Sequence, residues 1–268
     1  MRLLRNFSVV FLVAGISAQE VQAQAPISLR WTPEVGREEV RRTEIVITVA
    51  GVNMPMSGVF MTQNLYSTDV VLESDGEVTM IRSVIDSMDM EMPMMGGLPP
   101  GTPSLEGMTV TMALSSRGEV SQVKMGEDTP SGAEMFASQI SEGFANAYTV
   151  FPEEEVAVGE SWQVTVDVPS SAAAALPPEA RTIDFTFRVE SIDSQAGVVS
   201  ISISGSIGSD SEGSPLSGTV SGMMEFDYVN SSLKNSEQEM EMKMTDPNIG
   251  LMEMTVTTQM TLLSNTGG

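Results

Sequence analysis

Apolar and polar residues alternate with a period of two along most of this chain, which is the pattern of β-strands that bury one face. One run reads Trp-Gln-Val-Thr-Val-Asp-Val over residues 162–168. Further runs of this kind lie at residues 38–49, 56–73, 77–92, 107–115, 119–126, 183–189, 199–203 and 252–262. The alternation predicts a mainly β protein with roughly ten strands.

Turn sequences separate the predicted strands. Asp75-Gly76 is the strongest of them and predicts a type I′ turn, in which both central residues have positive φ. Weaker signals occur at Arg117-Gly118, Gln195-Ala196-Gly197 and Asn230-Ser231. Because strands this close in sequence are joined by hairpins, the sheet is expected to be largely antiparallel.

One segment has a helical period instead. Between residues 131 and 148 an apolar residue recurs at every fourth position, at Phe136, Ile140, Phe144 and Tyr148. Ser131, with Glu134 three residues later, fits a capping box at the start of this segment. The pattern predicts one main α-helix near 131–148, which either plugs one side of the sheet or covers a cavity as a lid.

Two linkers divide the predicted strands. Residues 93–107 are rich in glycine and proline, and residues 169–180 contain an alanine run followed by Pro177-Pro178. The second linker separates two halves with similar strand patterns. We therefore expect a single β-rich domain over residues 24–268, in which pseudo-halves 27–168 and 181–263 form a curved antiparallel sheet, an open half-barrel.

Residues 1–23 have the features of a signal peptide. Arg2 and Arg5 precede an apolar run over residues 7–16, which is too short to span a bilayer. Small residues then favour cleavage after Ala18 or Ala23. No cysteine is present for lipid attachment, and no later segment is apolar enough to cross a membrane. We expect an exported protein, periplasmic or secreted, that is neither lipid-anchored nor membrane-spanning.

Charge and missing residue types exclude several functions. The chain has 13 basic and 36 acidic residues, a net charge of -23, so it repels nucleic acid. It has no histidine and no cysteine, which excludes disulfides, Ser-His-Asp and Cys-His catalysis and the usual zinc sites. A carboxylate pair could still catalyse hydrolysis, but no pair stands out among so many acids. We expect no enzymatic activity and no cofactor.

Nine of the 22 methionines lie at alternate positions in three groups: Met88, Met90, Met92 and Met94; Met240, Met242 and Met244; Met252 and Met254. Three hypotheses account for them. Methionine replaces leucine and isoleucine in the core; or it lines a groove that adapts to an apolar ligand; or it forms a Cu(I)/Ag(I) site. The candidate metal ligands are Met88, Met90, Met92, Met94, Met240 and Met242.

The segment Phe-Pro-Glu-Glu-Glu-Val-Ala-Val-Gly-Glu-Ser-Trp at residues 151–162 resembles a signature of a family of uncharacterised exported bacterial proteins. A glycine-rich strand follows the signature in that family, and residues 218–227 have this character here. The family's layout is similar to the lipoprotein-carrier half-barrels of the bacterial envelope. The resemblance implies binding of a lipid or a lipoprotein in a groove of the sheet.

Together these features predict an exported, non-catalytic envelope protein that binds an apolar ligand such as a lipid in a sheet groove. Phe136, Ile140 and Phe144 of the predicted helix are the candidate groove residues. The alternatives are a methionine-rich Cu(I)/Ag(I)-binding protein and a structural or interaction protein without a small ligand. The sequence does not indicate which protein partner it would have.

Overall fold

A computed structural model describes residues 25–51, 57–98, 102, 104–127, 129, 141–144, 148–168, 181–208, 216–246 and 250–266. These residues form eleven strands and a short 3-10 helix at Pro93–Met95. The strands are Glu38–Gly51 (β1), Gly58–Ser74 (β2), Val78–Glu91 (β3), Thr109–Ser115 (β4), Val120–Met125 (β5), Ser161–Asp167 (β6), Thr182–Asp193 (β7), Val198–Gly208 (β8), Leu216–Asp227 (β9), Ser232–Asp246 (β10) and Gly250–Thr266 (β11).

All eleven strands belong to one sheet, in the order β5-β4-β3-β2-β1-β11-β10-β9-β8-β7-β6. Every neighbouring pair is antiparallel. Two meanders, β1–β5 and β6–β11, are joined where β1 pairs with β11, and β5 and β6 form the two edges. The prediction of a mainly β protein with an open antiparallel sheet is confirmed.

The sheet curls so that its two edges face a common core. Val120 and Val123 of β5 pack against the same buried cluster as Trp162 and Val164 of β6. Strand β6 is also held by its neighbouring loop, because the Trp162 indole N–H donates to the carbonyl of Val150 at 2.9 Å. The curvature gives the sheet an inner face, on which alternate residues of each strand lie.

Two segments outside the strands fill one end of the curled sheet. Residues 27 and 156 form an isolated bridge, and the Trp31 indole N–H donates to the carbonyl of Thr149 at 2.9 Å. The Trp31 ring stacks on Phe151, with ring centroids 5.6 Å apart, and meets Phe226 of β9 at 4.8 Å. This aromatic cluster closes the end at which β1 begins and β11 finishes.

The structure describes only part of the predicted helix. Residues 141–144 are helical, whereas Phe136 and Ile140 lie outside the described residues. Tyr148 is not helical, contrary to the prediction, but lies in a bend. Its buried ring meets Trp31 edge-on with centroids 5.1 Å apart, so the chain has already turned into the aromatic cluster at this point.

The turn at Asp75-Gly76 also differs from the predicted type I′ geometry. Gly76 has a φ of 91°, but Asp75 is not among the residues with positive φ. The Asp75 carboxylate instead accepts hydrogen bonds from the backbone N–H groups of Glu77 and Val78, at 2.9 and 2.7 Å. The Asp75 side chain therefore provides the acceptor for these two backbone N–H groups, as aspartate commonly does in turns.

Candidate functional site

A cavity of about 470 Å³ lies on the inner face of the sheet, between β1–β3, β10 and β11 and the helical residues 141–144. Its apolar wall comes mainly from β2, β3 and the segment before β4: Leu65, Ile85, Met88, Leu105 and Met108, with Ile45, Met260 and Phe144. The remaining side chains that line it are polar: Thr43, Gln63, Ser67, Gln238 and Thr258, with Arg41, Asp69, Ser83 and Tyr148 at one end. The cavity is therefore amphipathic.

A buried ionic cluster forms the polar end. Glu39 and Arg41 are two residues apart on β1, so both side chains point to the inner face. Glu39 pairs with Arg41 and with Arg37, whose Nη2 lies 2.6 Å from the Glu39 carboxylate. Arg41 reaches Asp69 of β2 at 3.3 Å, and the Ser232 hydroxyl donates to Glu39 at 2.6 Å. Two guanidinium groups thus meet two carboxylates, and the formal charges cancel.

Burial and neighbouring charges change the pKa values of three groups at this end. Burial lowers the pKa of the Arg41 guanidinium, but Asp69, Tyr148 and Glu39 together raise it above its ordinary value. Burial raises the pKa of the Asp69 carboxyl, against the opposing effects of Arg41 and Ser83. Burial also raises the pKa of the Tyr148 phenol, and Asp69 adds to this. Arg41 therefore stays cationic, and Tyr148 keeps its proton as a hydrogen-bond donor.

The Arg41 side chain has one nitrogen that lacks a hydrogen-bond partner among the described residues. Its Nη2 pairs with Glu39 and its Nη1 with Asp69, but its Nε has no hydrogen-bond acceptor among the residues that the structure describes. The side chain is only 9% exposed. A buried donor without an acceptor costs about 1–3 kcal/mol, so an acceptor at this position would stabilise the site.

The second half of the chain matches a known sequence family. The model of DUF6263, a family of unknown function, matches residues 132–267, which are 136 of the 268 residues. The chain belongs to this family. The matched region contains β6–β11, and so the β10 and β11 side of the cavity. No curated protein matches the chain.

Several solved structures are similar at low sequence identity. A structure describing lipid–protein interactions in lipovitellin has a TM-score of 0.48 and 9% identity over 89% of this chain. The chain spans about a quarter of it, 26%. An exported protein with a YmcC-like fold from Bacteroides fragilis has a TM-score of 0.29 and 9% identity, covering 90% of this chain and 100% of its own. DynF from the dynemicin pathway of Micromonospora chersina has a TM-score of 0.23 and 11% identity, covering 97% and 92%.

Of the three residues predicted to face the groove, Phe144 lines the cavity. It is half-buried and packs against the apolar cluster of Ile85, Met108 and Val110. Phe136 and Ile140 lie outside the described residues. Whether any of the three binds a ligand stays a prediction. No helix within the described parts of the chain is long and apolar enough to cross a membrane.

The structure separates the predicted metal ligands into two groups. Met88 and Met90 lie on β3, Met92 follows it and Met94 lies in the 3-10 helix, whereas Met240 and Met242 lie on β10. Strands β2, β1 and β11 come between β3 and β10 in the sheet. On the β10 side, Met242 pairs with Met254 of β11, and the neighbouring Met244 pairs with Met252. Met240, Met242 and Met244 also pack against a core cluster that contains Leu216 and Val220.

Sequence reasoning missed the polar end of the cavity. The reason is that Glu39, Arg41 and Asp69 are charged, and charged residues usually lie on the solvated face of a strand. The sequence contained one signal of their position. Glu39 and Arg41 each lie an even number of positions before the inward residue Ile45, so all three belong to the same face of β1. Nothing in the sequence indicated that Asp69 would lie beside Arg41, because register between strands is a long-range property.

Proposed function

We propose that this chain is an exported, non-catalytic protein that binds an apolar ligand, such as a lipid, in the cavity beneath Phe144. The observation that carries the proposal is the cavity itself, about 470 Å³ with an apolar wall along β2 and β3. Ligand sites commonly have volumes of roughly 300–1,000 Å³, mostly apolar linings and a few convergent polar groups. Burial of apolar ligand surface is worth roughly 25 cal/mol per Å², which supplies the affinity.

Three features of the chain support this assignment over an enzyme. It contains no histidine or cysteine to act as base or nucleophile. The charged side chains that line the cavity, Arg41 and Asp69, are paired with each other. The methionine Met88 on the wall is flexible and polarisable, which suits variable apolar ligands. Export is inferred from Arg2, Arg5 and the apolar run over residues 7–16, which have the features of a signal peptide.

The decisive measurement is native mass spectrometry of the protein purified from the periplasm without detergent, compared with two variants of Phe144. The unaltered protein should carry an adduct of several hundred daltons that organic solvent extracts. Phe144→Asp should lose the adduct while keeping a β-type circular dichroism spectrum, because a carboxylate facing the cavity opposes apolar burial. Phe144→Leu, the matched control, should retain it.

A bare polypeptide mass for the unaltered protein would contradict tight ligand binding. Unfolding of Phe144→Asp would instead show that the helical segment plugs the sheet. In that case Phe144→Leu still reports on the ligand, since it keeps an apolar side chain at this position.

Binding of Cu(I) is the second candidate function, and the register of β10 and β11 favours it. Directly opposed residues have Cβ atoms about 4.5–5.5 Å apart, so the pairs Met242–Met254 and Met244–Met252 bring four thioethers together. Thioethers are soft ligands that prefer Cu(I).

Under this second candidate, replacing Met242 and Met254 together with leucine should weaken Cu(I) binding at least about tenfold, measured against a competing chelator. The matched control replaces Met88 and Met90 on β3 with leucine. Equal affinity in both double variants and in the unaltered protein would exclude a site at β10–β11.

A further inference from the structure

The charged residues of the cavity are confined to one end of it. Arg41 and Asp69 are the only charged side chains among the described residues that line it. They lie beside Ser83 and Tyr148, next to the aromatic cluster. From Asp69 the inner face of β2 continues through Ser67 and Leu65 to Gln63, and these residues line the cavity. At about 3.3 Å per residue this path is roughly 20 Å long.

The far part of this path has an apolar partner strand. Leu65 pairs with Met88, and Gln63 pairs with Met90, on β3. Met88 and Phe144 both pack against the buried cluster that contains Ile85 and Met108. A ligand lying along β2 and β3 would therefore meet the ionic cluster at one end and methionine at the other.

Charge balance at the polar end selects the kind of head group. Arg37 and Arg41 are matched by Glu39 and Asp69, so a charged head would add an uncompensated charge to a buried site. The net charge of -23 further disfavours an anion. An uncharged oxygen, however, would accept a hydrogen bond from the Arg41 guanidinium, whose enclosed Nε has no acceptor among the described residues, or from the Tyr148 phenol, since both residues line the cavity. A hydroxyl could also donate to Asp69.

We propose that the ligand is a long-chain amphiphile with an uncharged oxygen head group, bound with its head against Arg41, Asp69 and Tyr148 and its chain along β2 and β3 towards Met88 and Met90. This assignment rests on the proposed function, since it names the ligand class and orientation for the same cavity.

The test uses four probes with the same eighteen-carbon chain and different heads: oleyl alcohol, oleate, oleylamine and octadecene. Their affinities for the delipidated mature protein are measured at neutral pH below the concentration at which they aggregate. Oleyl alcohol should bind at least about tenfold more tightly than octadecene, because a hydrogen bond to a charged donor is stronger than a neutral one. It should also bind more tightly than oleate and oleylamine.

Variants assign this preference to the polar end. Arg41→Lys keeps a positive charge between Glu39 and Asp69 but lacks the Nε donor and the planar fork, so the alcohol should lose most of its advantage over octadecene. Arg42→Lys is the matched control. Arg42 is the next residue on β1 and pairs with Glu44 and Asn64 outside the cavity lining, so its replacement should leave the preference unchanged.

Tyr148→Phe serves if Arg41→Lys does not fold. It removes the phenol hydroxyl and keeps the ring beside Trp31, and it should also reduce the preference for the alcohol. Orientation is tested with an oleyl alcohol analogue that carries a photoreactive diazirine at the methyl end of the chain. This probe should label the Met88–Met90 region of β3; labelling at Tyr148 would overturn the head-inward orientation.

The outcomes separate this inference from the proposed function. Absence of binding by all four probes would contradict the proposed function itself. Binding of all four with equal affinity would leave the apolar cavity standing and overturn recognition of the head group. Tightest binding by oleate would show that the site takes an anion, and would also overturn the assignment.

Discussion

Glu39 is the residue on which the buried ionic cluster depends most. Its carboxylate pairs with two guanidinium groups and accepts a hydrogen bond from Ser232. Its side chain is 8% exposed, so these contacts replace water almost completely. A buried charge pair contributes little compared with a well-packed apolar core, but removing one partner leaves the other charge uncompensated. Without Glu39, Arg41 would keep only Asp69, and Arg37 would have no carboxylate partner among the described residues.

Glu39→Gln should therefore lower the free energy of unfolding by about 3 kcal/mol or more, measured by urea denaturation. Glu44→Gln is the matched control on the same strand. Glu44 pairs with Arg42, and both side chains are about one-third exposed or more, so its loss should cost less than about 1 kcal/mol. Equal effects of the two substitutions would show that the cluster is solvated in solution.

Among the strands, β9 has glycines whose structural role the sequence pattern alone does not reveal. Residues 218–227 resembled the glycine-rich strand of an exported family, and Gly218 and Gly222 now prove to lie against β10. A Cβ at Gly218 would lie 2.5 Å from the Glu241 carbonyl oxygen, and one at Gly222 would overlap the Glu237 carbonyl oxygen. These glycines allow the two backbones to approach where the sheet curls.

Gly222→Ala should destabilise the protein by roughly 1–3 kcal/mol, because the backbone of β10 must move to admit the methyl group. Ser221→Ala is the matched control. Ser221 is the preceding residue of β9 and is exposed, so its substitution should change stability by less than about 0.5 kcal/mol. Thermal or urea unfolding of both variants measures the difference. A neutral Gly222→Ala would mean that the close approach is not required.

The strands themselves were largely predictable. The range 38–49 corresponds to β1, and the ranges 77–92 and 107–115 to β3 and β4. Burial of one sheet face repeats at every second residue, so the pattern is present within each strand and needs no information from the rest of the chain. The turn at Arg117-Gly118 was likewise visible, and Gly118 has a φ of 103°.

At the scale of the whole molecule, the curled sheet turns an acidic chain into a protein with an amphipathic interior. The two meanders meet at β1 and β11, and the inner face receives apolar residues from strands on both sides of that seam. The aromatic cluster around Trp31 and Phe151 closes one end. The cavity, with its charges at that closed end and its apolar wall along β2 and β3, exists only in this arrangement.

The candidate site shows the limit of sequence reasoning most clearly. The helical period singled out Phe144, which lines the cavity, because a helix face is also a local pattern. The pairing of Arg41 with Asp69 was not predictable because it depends on the register between β1 and β2. The contact of Ser232 with Glu39 likewise joins β10 to β1.

The sequence by itself therefore determined the β class, most of the strand positions, most turns and the absence of histidine and cysteine chemistry. The tertiary structure alone decided that β1 pairs with β11 and that two arginines and two carboxylates share one buried site. The physical reason is that alternation is set by which face of a strand is buried, whereas pairing between distant strands is set by the packing of the whole chain.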